Sequence, residues 1–254
     1  MEINGQVALV TGGASGLGEA TARHLSLQGA KITIVDFSAD KAQSVASEIS
    51  GLAVACDVAD EQQVSEAISA SQNYWGQPAR IIVNCAGIAP AARIVGREGK
   101  LSCELYQKVI SVNLIGSYYV MSYAAKAMIE ADIPADGNRG VIINTSSIAY
   151  EDGQIGQSAY AASKGGIASM CLPAARELAQ HAIRVMAIAP GLFHTPLMDG
   201  LPEETVSKIT ENVPYPARLG MPEEFAKLVH SIIKNDYLNG SVIRLDGAAR
   251  LPVK

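Results

Sequence analysis

The run Val7-Ala8-Leu9-Val10-Thr11-Gly12-Gly13-Ala14-Ser15-Gly16-Leu17-Gly18 begins with a short apolar segment and passes into a glycine-rich turn. Four consecutive apolar residues bounded by glycine read as a strand covered on both faces. Glu19 to Gln28 then reads as a helix, closed by Gly29. A strand, a glycine turn and a helix in that order form an anion cradle. Glycine lets the backbone approach a pyrophosphate, and the helix N-terminus faces it. Gly12, Gly16 and Gly18 take the tight turn, the close approach and the close helix packing. Such glycines alone are ordinary turn residues; the strand before and the helix after point to a dinucleotide.

The alternation continues to the C-terminus. Further strands are expected at 31–35, 52–56, 81–84, 141–145, 184–188 and 241–245, and helices at 39–49, 61–74, 104–130, 160–181 and 223–234. Strand–helix alternation with continuous Val/Ile/Ala runs predicts an α/β fold. Its form is a single-domain Rossmann-type doubly wound parallel sheet over residues 1–254, with helices on both faces. Pro173 should kink or offset its helix. Two irregular stretches follow strands, 89–102 with Arg93, Arg97 and Lys100, and 191–216 with Leu192, Phe193 and Leu197. Ligands in such sheets sit beyond the carboxyl ends of the strands, so both stretches are expected to line a substrate site.

The 254 residues are 48% hydrophobic and 18% charged, with a net charge of −5. No basic stripe suits nucleic acid, and no apolar run would span a bilayer, so neither is an expected partner. Met1 to Gln6 leads directly into the first strand without a signal or transit pattern, so a cytoplasmic location is expected. The four cysteines fit no CxxC spacing and histidine is sparse, so reduced thiols and no metal site are expected. Cys103 and Cys171 read as small buried apolar side chains.

Asp36 ends the second strand, with Phe37-Ser38 rather than Arg beside it. A carboxylate there accepts from the adenosine ribose hydroxyls and repels an extra phosphate, which points to NAD rather than NADP. Its structural alternative is to cap the next helix. Asp57 reads as an adenine contact or, equally on spacing, as a turn residue. Tyr160 and Lys164 lie four residues apart, one helical turn, and so share a face. A phenol beside an ammonium makes an acid/base near neutral pH. Tyr-x-x-x-Lys by itself is common on helices, Ser147 would be a cap or turn residue, and Asn113 a polar surface position.

Together these residues carry a resemblance. The glycine loop, Asn84-Cys85-Ala86-Gly87, Asn113, Ser147, Tyr160 with Lys164, and Pro190-Gly191 occur in the order of the short-chain dehydrogenase/reductases and span nearly the whole chain. Cys85 departs from the second Asn that most members carry. The sequence is similar to the type-2 3-hydroxyacyl-CoA dehydrogenase branch in Asn84–Gly87, Gly153–Gln157, Ala189–Phe193 and Asn239–Ala248.

The resemblance implies oxidation of a secondary alcohol to a ketone, with Tyr160 as general acid/base and Ser147 holding the substrate oxygen. It further implies that Lys164 binds the nicotinamide ribose and lowers the Tyr pKa, and that Asn113 serves a proton relay. By the same resemblance Gly12, Ser15, Gly16, Leu17, Gly18, Asp36, Asp57, Val58, Asn84, Cys85, Ala86, Gly87, Pro190, Gly191, Phe193 and Thr195 line the NAD site, with Tyr160 and Lys164. Gln157 and Leu197 would join Ser147 and Tyr160 at a (2-methyl-)3-hydroxyacyl-CoA.

A hydroxysteroid or other hydrophobic secondary alcohol, a 3-oxoacyl-carrier-protein reductase activity, and a non-catalytic scaffold role are the alternatives. A homotetramer is expected, using the small residues Ala161, Ala162, Ser163, Gly165, Gly166, Ala168 and Ser169.

Overall fold

The computed structural model describes residues 1–196, 210–211 and 213–253. Among these, seven parallel strands form one sheet. They are β1 (Val7–Thr11), β2 (Lys31–Asp36), β3 (Leu52–Ala55), β4 (Ile81–Asn84), β5 (Gly140–Thr145), β6 (Ile183–Pro190) and β7 (Val242–Leu245). Their order is β3-β2-β1-β4-β5-β6-β7. The chain winds outward from β1 to one edge and then from β4 to the other. The crevice between β1 and β4 is therefore the switch point where a ligand can reach the strand ends.

Period-2 alternation builds two cores. Ala8, Val10, Ile32, Ile34, Ile143 and Ile188 face one layer, which contains α1 (Gly16–Leu27), α2 (Ala39–Glu48) and α8 (Pro222–Lys234). Val7, Leu9, Val35, Ile82, Ile142 and Val185 face the other, with α3 (Glu61–Trp75), α5 (Gly116–Glu130) and α7 (Ser158–Ala179). A strand buried on both faces needs apolar residues at odd and even positions alike, which is why these runs show no polar alternation.

Several expectations change in detail. The expected helix 104–130 is interrupted: α4 (Cys103–Ile110) and α5 are joined by a π-helical turn at Ser111–Ile115. α7 runs on past Pro173 to Ala179. Cys171 is buried but Cys103 is exposed, because it opens amphipathic α4, whose buried residue is Val109. Of the small residues on α7, Ser163 is fully buried and Gly166 abuts Leu114, so those two face inward. A one-turn helix, α6 (Ala149–Asp152), precedes α7. No helix among the described residues is long and apolar enough to cross a membrane.

Candidate active site

The site lies at the carboxyl ends of β1, β4, β5 and β6. Parallel pairing puts Thr11 beside Asn84 and Asn84 beside Asn144. Their buried side chains bond across the sheet: Thr11 Oγ1 donates to Asn84 Oδ1 at 3.3 Å, and Asn84 Nδ2 donates to Asn144 Oδ1 at 2.8 Å. Thr11 Oγ1 also accepts from the Ala86 amide at 3.2 Å. The Asn84–Gly87 segment is thus tied to the foot of the glycine loop. Thr11 and Asn144 flank sequence motifs, but nothing in the sequence announces these side-chain bonds.

The glycine loop owes its shape to close approaches. A Cβ on Gly12 would lie 2.7 Å from the Ala86 amide nitrogen, and one on Gly18 2.1 Å from the Gly12 carbonyl oxygen. Gly16 has φ +53°, and its missing side chain faces Thr195 and Pro196, beyond β6. The two sides of the crevice meet there. Ser15 is the N-cap residue of α1, but its hydroxyl makes no cap bond. Gly13 packs on Ile34, and Leu17 rests on the adjacent core.

Asp36 serves the loop directly. Its Oδ2 accepts from the Ala14 amide at 3.1 Å and its Oδ1 from the Ser38 amide at 2.9 Å. Each oxygen keeps a lone pair for a further donor. Asp57 Oδ1 accepts from the Ala59 amide at 2.9 Å, the turn geometry that spacing left open. Val58 is buried against Gly116, whose added Cβ would meet it at 2.8 Å. Phe193 is also buried, its ring against Gly220. Pro190 ends β6, and the Gly191 amide donates to Leu245 O at 2.9 Å.

Tyr160 and Lys164 lie on one face of α7, as their spacing requires. The Lys164 ammonium is buried and donates to the Thr145 carbonyl at 2.7 Å, 5.7 Å from the Tyr160 ring centroid. Burial holds it down to about 8, against a smaller opposing pull from Cys85. Burial also pushes the Tyr160 phenol above its ordinary value, and the nearby Ser147 hydroxyl draws it partly back. The Cys85 thiol is pushed up to about 11 by burial, so it is a neutral wall residue here.

Asn113 sits on the π-turn and binds both backbone groups of Ile88. Its Oδ1 accepts from the Ile88 amide at 2.8 Å, and its Nδ2 donates to the Ile88 carbonyl at 2.9 Å and to Ser163 Oγ at 3.1 Å. Ser163 Oγ in turn donates to the Tyr160 carbonyl at 2.7 Å. Ser146 Oγ donates to the Lys164 carbonyl at 2.8 Å. Ser146 and Ser163 therefore bolt α7 to β5 and to the π-turn, a role their sequence positions do not announce. Gln157 is turned to its own loop, its Oε1 accepting from the Gln154 amide at 3.0 Å. Leu197 lies outside the described residues.

The residues present fit a dinucleotide. The first turn of α1 is left without a side-chain cap, and Asp36 stands at the end of β2. Gly87 leaves open the place where a Cβ would stand 3.6 Å from Lys164 Nζ and 3.3 Å from Asn113 Oδ1. An uncapped helix N-terminus takes phosphate, and the bare glycine at 87 keeps a side chain from crowding Lys164 and Asn113.

Comparison with known proteins agrees with the geometry. A model described as short chain dehydrogenase matches residues 6–205. The chain is 46% identical over 253 residues to the 3-hydroxyacyl-CoA dehydrogenase type-2 of Homo sapiens, covering 98% of this chain and 97% of that one. It is 44% identical to the protein of the same name from Drosophila melanogaster, covering 98% and 99%. A crystal structure of 3-hydroxyacyl-CoA dehydrogenase type-2 from Mycobacterium avium superposes with a TM-score of 0.92 at 40% identity, covering 98% of each chain.

Proposed function

The chain belongs to the short chain dehydrogenase family, and on that premise we propose that it is an NAD-dependent dehydrogenase oxidising a (2-methyl-)3-hydroxyacyl-CoA to the 3-oxoacyl-CoA. The observation that carries the chemistry is the gathering of the Tyr160 phenol, the Ser147 hydroxyl and the buried Lys164 ammonium at the carboxyl end of β5, with Lys164 donating to the Thr145 carbonyl at 2.7 Å, 5.7 Å from the Tyr160 ring centroid. The substrate class rests on the 44–46% identity to the type-2 dehydrogenases. Asp36 supports NAD, because its carboxylate suits ribose hydroxyls and repels a further phosphate.

When bound, the nicotinamide supplies the two-electron acceptor. Tyr160 as phenolate takes the hydroxyl proton at its Oη. Ser147 donates a hydrogen bond to the substrate oxygen, where charge builds on the way to the ketone. Lys164 adds a positive charge on the same side, which favours phenolate over phenol. Asn113 and Ser163 hold α7 and the Ile88 backbone in place around the reacting groups. Arg93, Arg97 and Lys100, exposed on the loop after β4, read first as a solvated charged loop, with contact to the phosphates of coenzyme A as the alternative.

A substrate panel tests the reading. Purified protein with NAD and 3-hydroxybutyryl-CoA or its 2-methyl analogue should generate NADH, with slower turnover of hydroxysteroids and simple secondary alcohols. Tyr160→Phe should abolish turnover and change NAD affinity by no more than about twofold, since only the transferable proton is lost. Near-normal turnover by that variant, or a preference for NADPH with a 3-oxoacyl carrier protein, would refute the proposal.

A further inference from the structure

Ser147 stands between the end of β5 and the single turn of α6, which is too short to be stable alone. Its Oγ accepts from the Ala149 amide at 3.2 Å, so the orientation of the hydroxyl depends on where α6 lies. α6 is held from outside its own segment. Arg244, on edge strand β7, donates from Nη1 to Glu151 Oε2 at 2.5 Å and from Nη2 to Asp152 Oδ2 at 2.8 Å. Its Nε donates to Asp246 Oδ2 at 2.8 Å, and Nη2 also reaches the Ala249 carbonyl at 3.2 Å.

This guanidinium is 18% exposed, and Asp152 and Asp246 are 15% and 9% exposed. Two half-buried carboxylates converge on it. Without the cation they would repel each other and push α6 away from β7. The same side of the site is held again further on. Gln154 Nε2 donates to the Pro252 carbonyl at 3.2 Å, and the Ile155 amide to the Val253 carbonyl at 3.1 Å. Ile148, next to Ser147, packs with Val213 and Ala249.

We infer that Arg244 is a positioning residue for the reaction: through Glu151 and Asp152 it fixes the turn that carries Ser147, and so sets the orientation of the Ser147 hydroxyl. The inference rests on the dehydrogenase reading above for its kinetic consequence, but not for its structural one. Nearly a hundred positions separate Arg244 from Glu151, and no motif links them.

Four proteins test it: wild type, Arg244→Gln, Arg244→Lys and the double variant Glu151→Gln/Asp152→Asn. Hydrogen exchange reads the structural part without any turnover. The Ala149 amide should exchange at least about tenfold faster in Arg244→Gln than in wild type. Kinetics read the functional part. Arg244→Gln should lower kcat by about tenfold to a hundredfold, the effect of an ångström-scale misplacement, with NAD affinity changed less than about twofold. The pKa governing kcat should rise, since the Ser147 hydroxyl that lowers the phenol is displaced from it. Arg244→Lys should recover part of kcat. The double variant should likewise speed Ala149 exchange and lower kcat, by less than Arg244→Gln because it leaves no unpaired carboxylate on α6. If Arg244→Gln does not fold, the double variant decides by the same readouts. Unchanged Ala149 exchange overturns the inference, as does wild-type kcat with an unmoved pH profile, whatever happens to Tm. An inactive wild type with the expected exchange difference would instead count against the dehydrogenase reading alone.

Discussion

Lys164→Met removes a buried ammonium, only 4% exposed, and replaces it with an apolar chain of similar length. Burial holds that ammonium down to about 8 from its ordinary 10.5. A gap of that size corresponds to roughly 3 kcal/mol of destabilisation whenever the folded protein must carry the charge. The sign follows from proton counting. Below pH 8 both folded and unfolded chains hold the proton, and the full cost applies. Between 8 and 10.5 the unfolded chain keeps the proton and the folded chain releases it, so stability rises with pH and the cost fades.

The variant has no such group, so wild-type stability minus variant stability should increase by about 2 kcal/mol from pH 7 to pH 9.5. At pH 7 a second effect opposes the gain from losing the cation. The Thr145 carbonyl loses its donor, which costs about 1–3 kcal/mol. The variant should then equal the wild type or exceed it by up to about 2 kcal/mol, while turnover collapses. Urea unfolding of both proteins at pH 7 and 9.5 measures the difference, and Tyr and Cys ionisation cancel in it. A difference that stays flat within about 0.5 kcal/mol would refute the claim that burial of this cation is costly.

Gly18→Ala would set a Cβ 2.1 Å from the Gly12 carbonyl oxygen, where ordinary contact begins near 3.4 Å. The loop and α1 must part by about 1.3 Å, costing about 1–3 kcal/mol and at least tenfold in NAD affinity; unaltered binding by fluorescence titration would contradict this packing. Asp36→Ala removes one charge-assisted acceptor from the ribose position and from the Ala14 amide. The ratio of kcat/KM for NAD over NADP should fall by about tenfold or more, and an unchanged ratio would remove Asp36 from cofactor selection.

Much of the scaffold was legible because its signals are local. Val7–Thr11 and Ile81–Asn84 are buried at every position and apolar at all but the last, as strands covered on both faces should be. The doubly wound parallel sheet follows from strand–helix alternation, whereas the order β3-β2-β1-β4-β5-β6-β7 is a property of the tertiary structure. The π-turn at Ser111–Ile115 was not legible. Its residues have ordinary helical character, and only packing of Asn113 onto the Ile88 backbone shows why the helix widens there. The exposure of Cys103 was likewise invisible, because residue type alone does not say which side of α4 faces water.

At the candidate site the division is sharper. Sequence alone determined that Tyr160 and Lys164 share a face, since a four-residue interval is a property of the helix. It also determined that a glycine loop with Asp36 stands ready for a dinucleotide, since strand, turn and helix are contiguous. Tertiary structure alone decided that the Ser147 hydroxyl stands near the Tyr160 phenol, that Lys164 donates to the Thr145 carbonyl, and that Arg244 grips the turn behind Ser147. The physical reason is that proton affinity depends on burial and on partners that are distant in the chain. Those are settled only when the register of β5, β6 and β7 brings separate segments together.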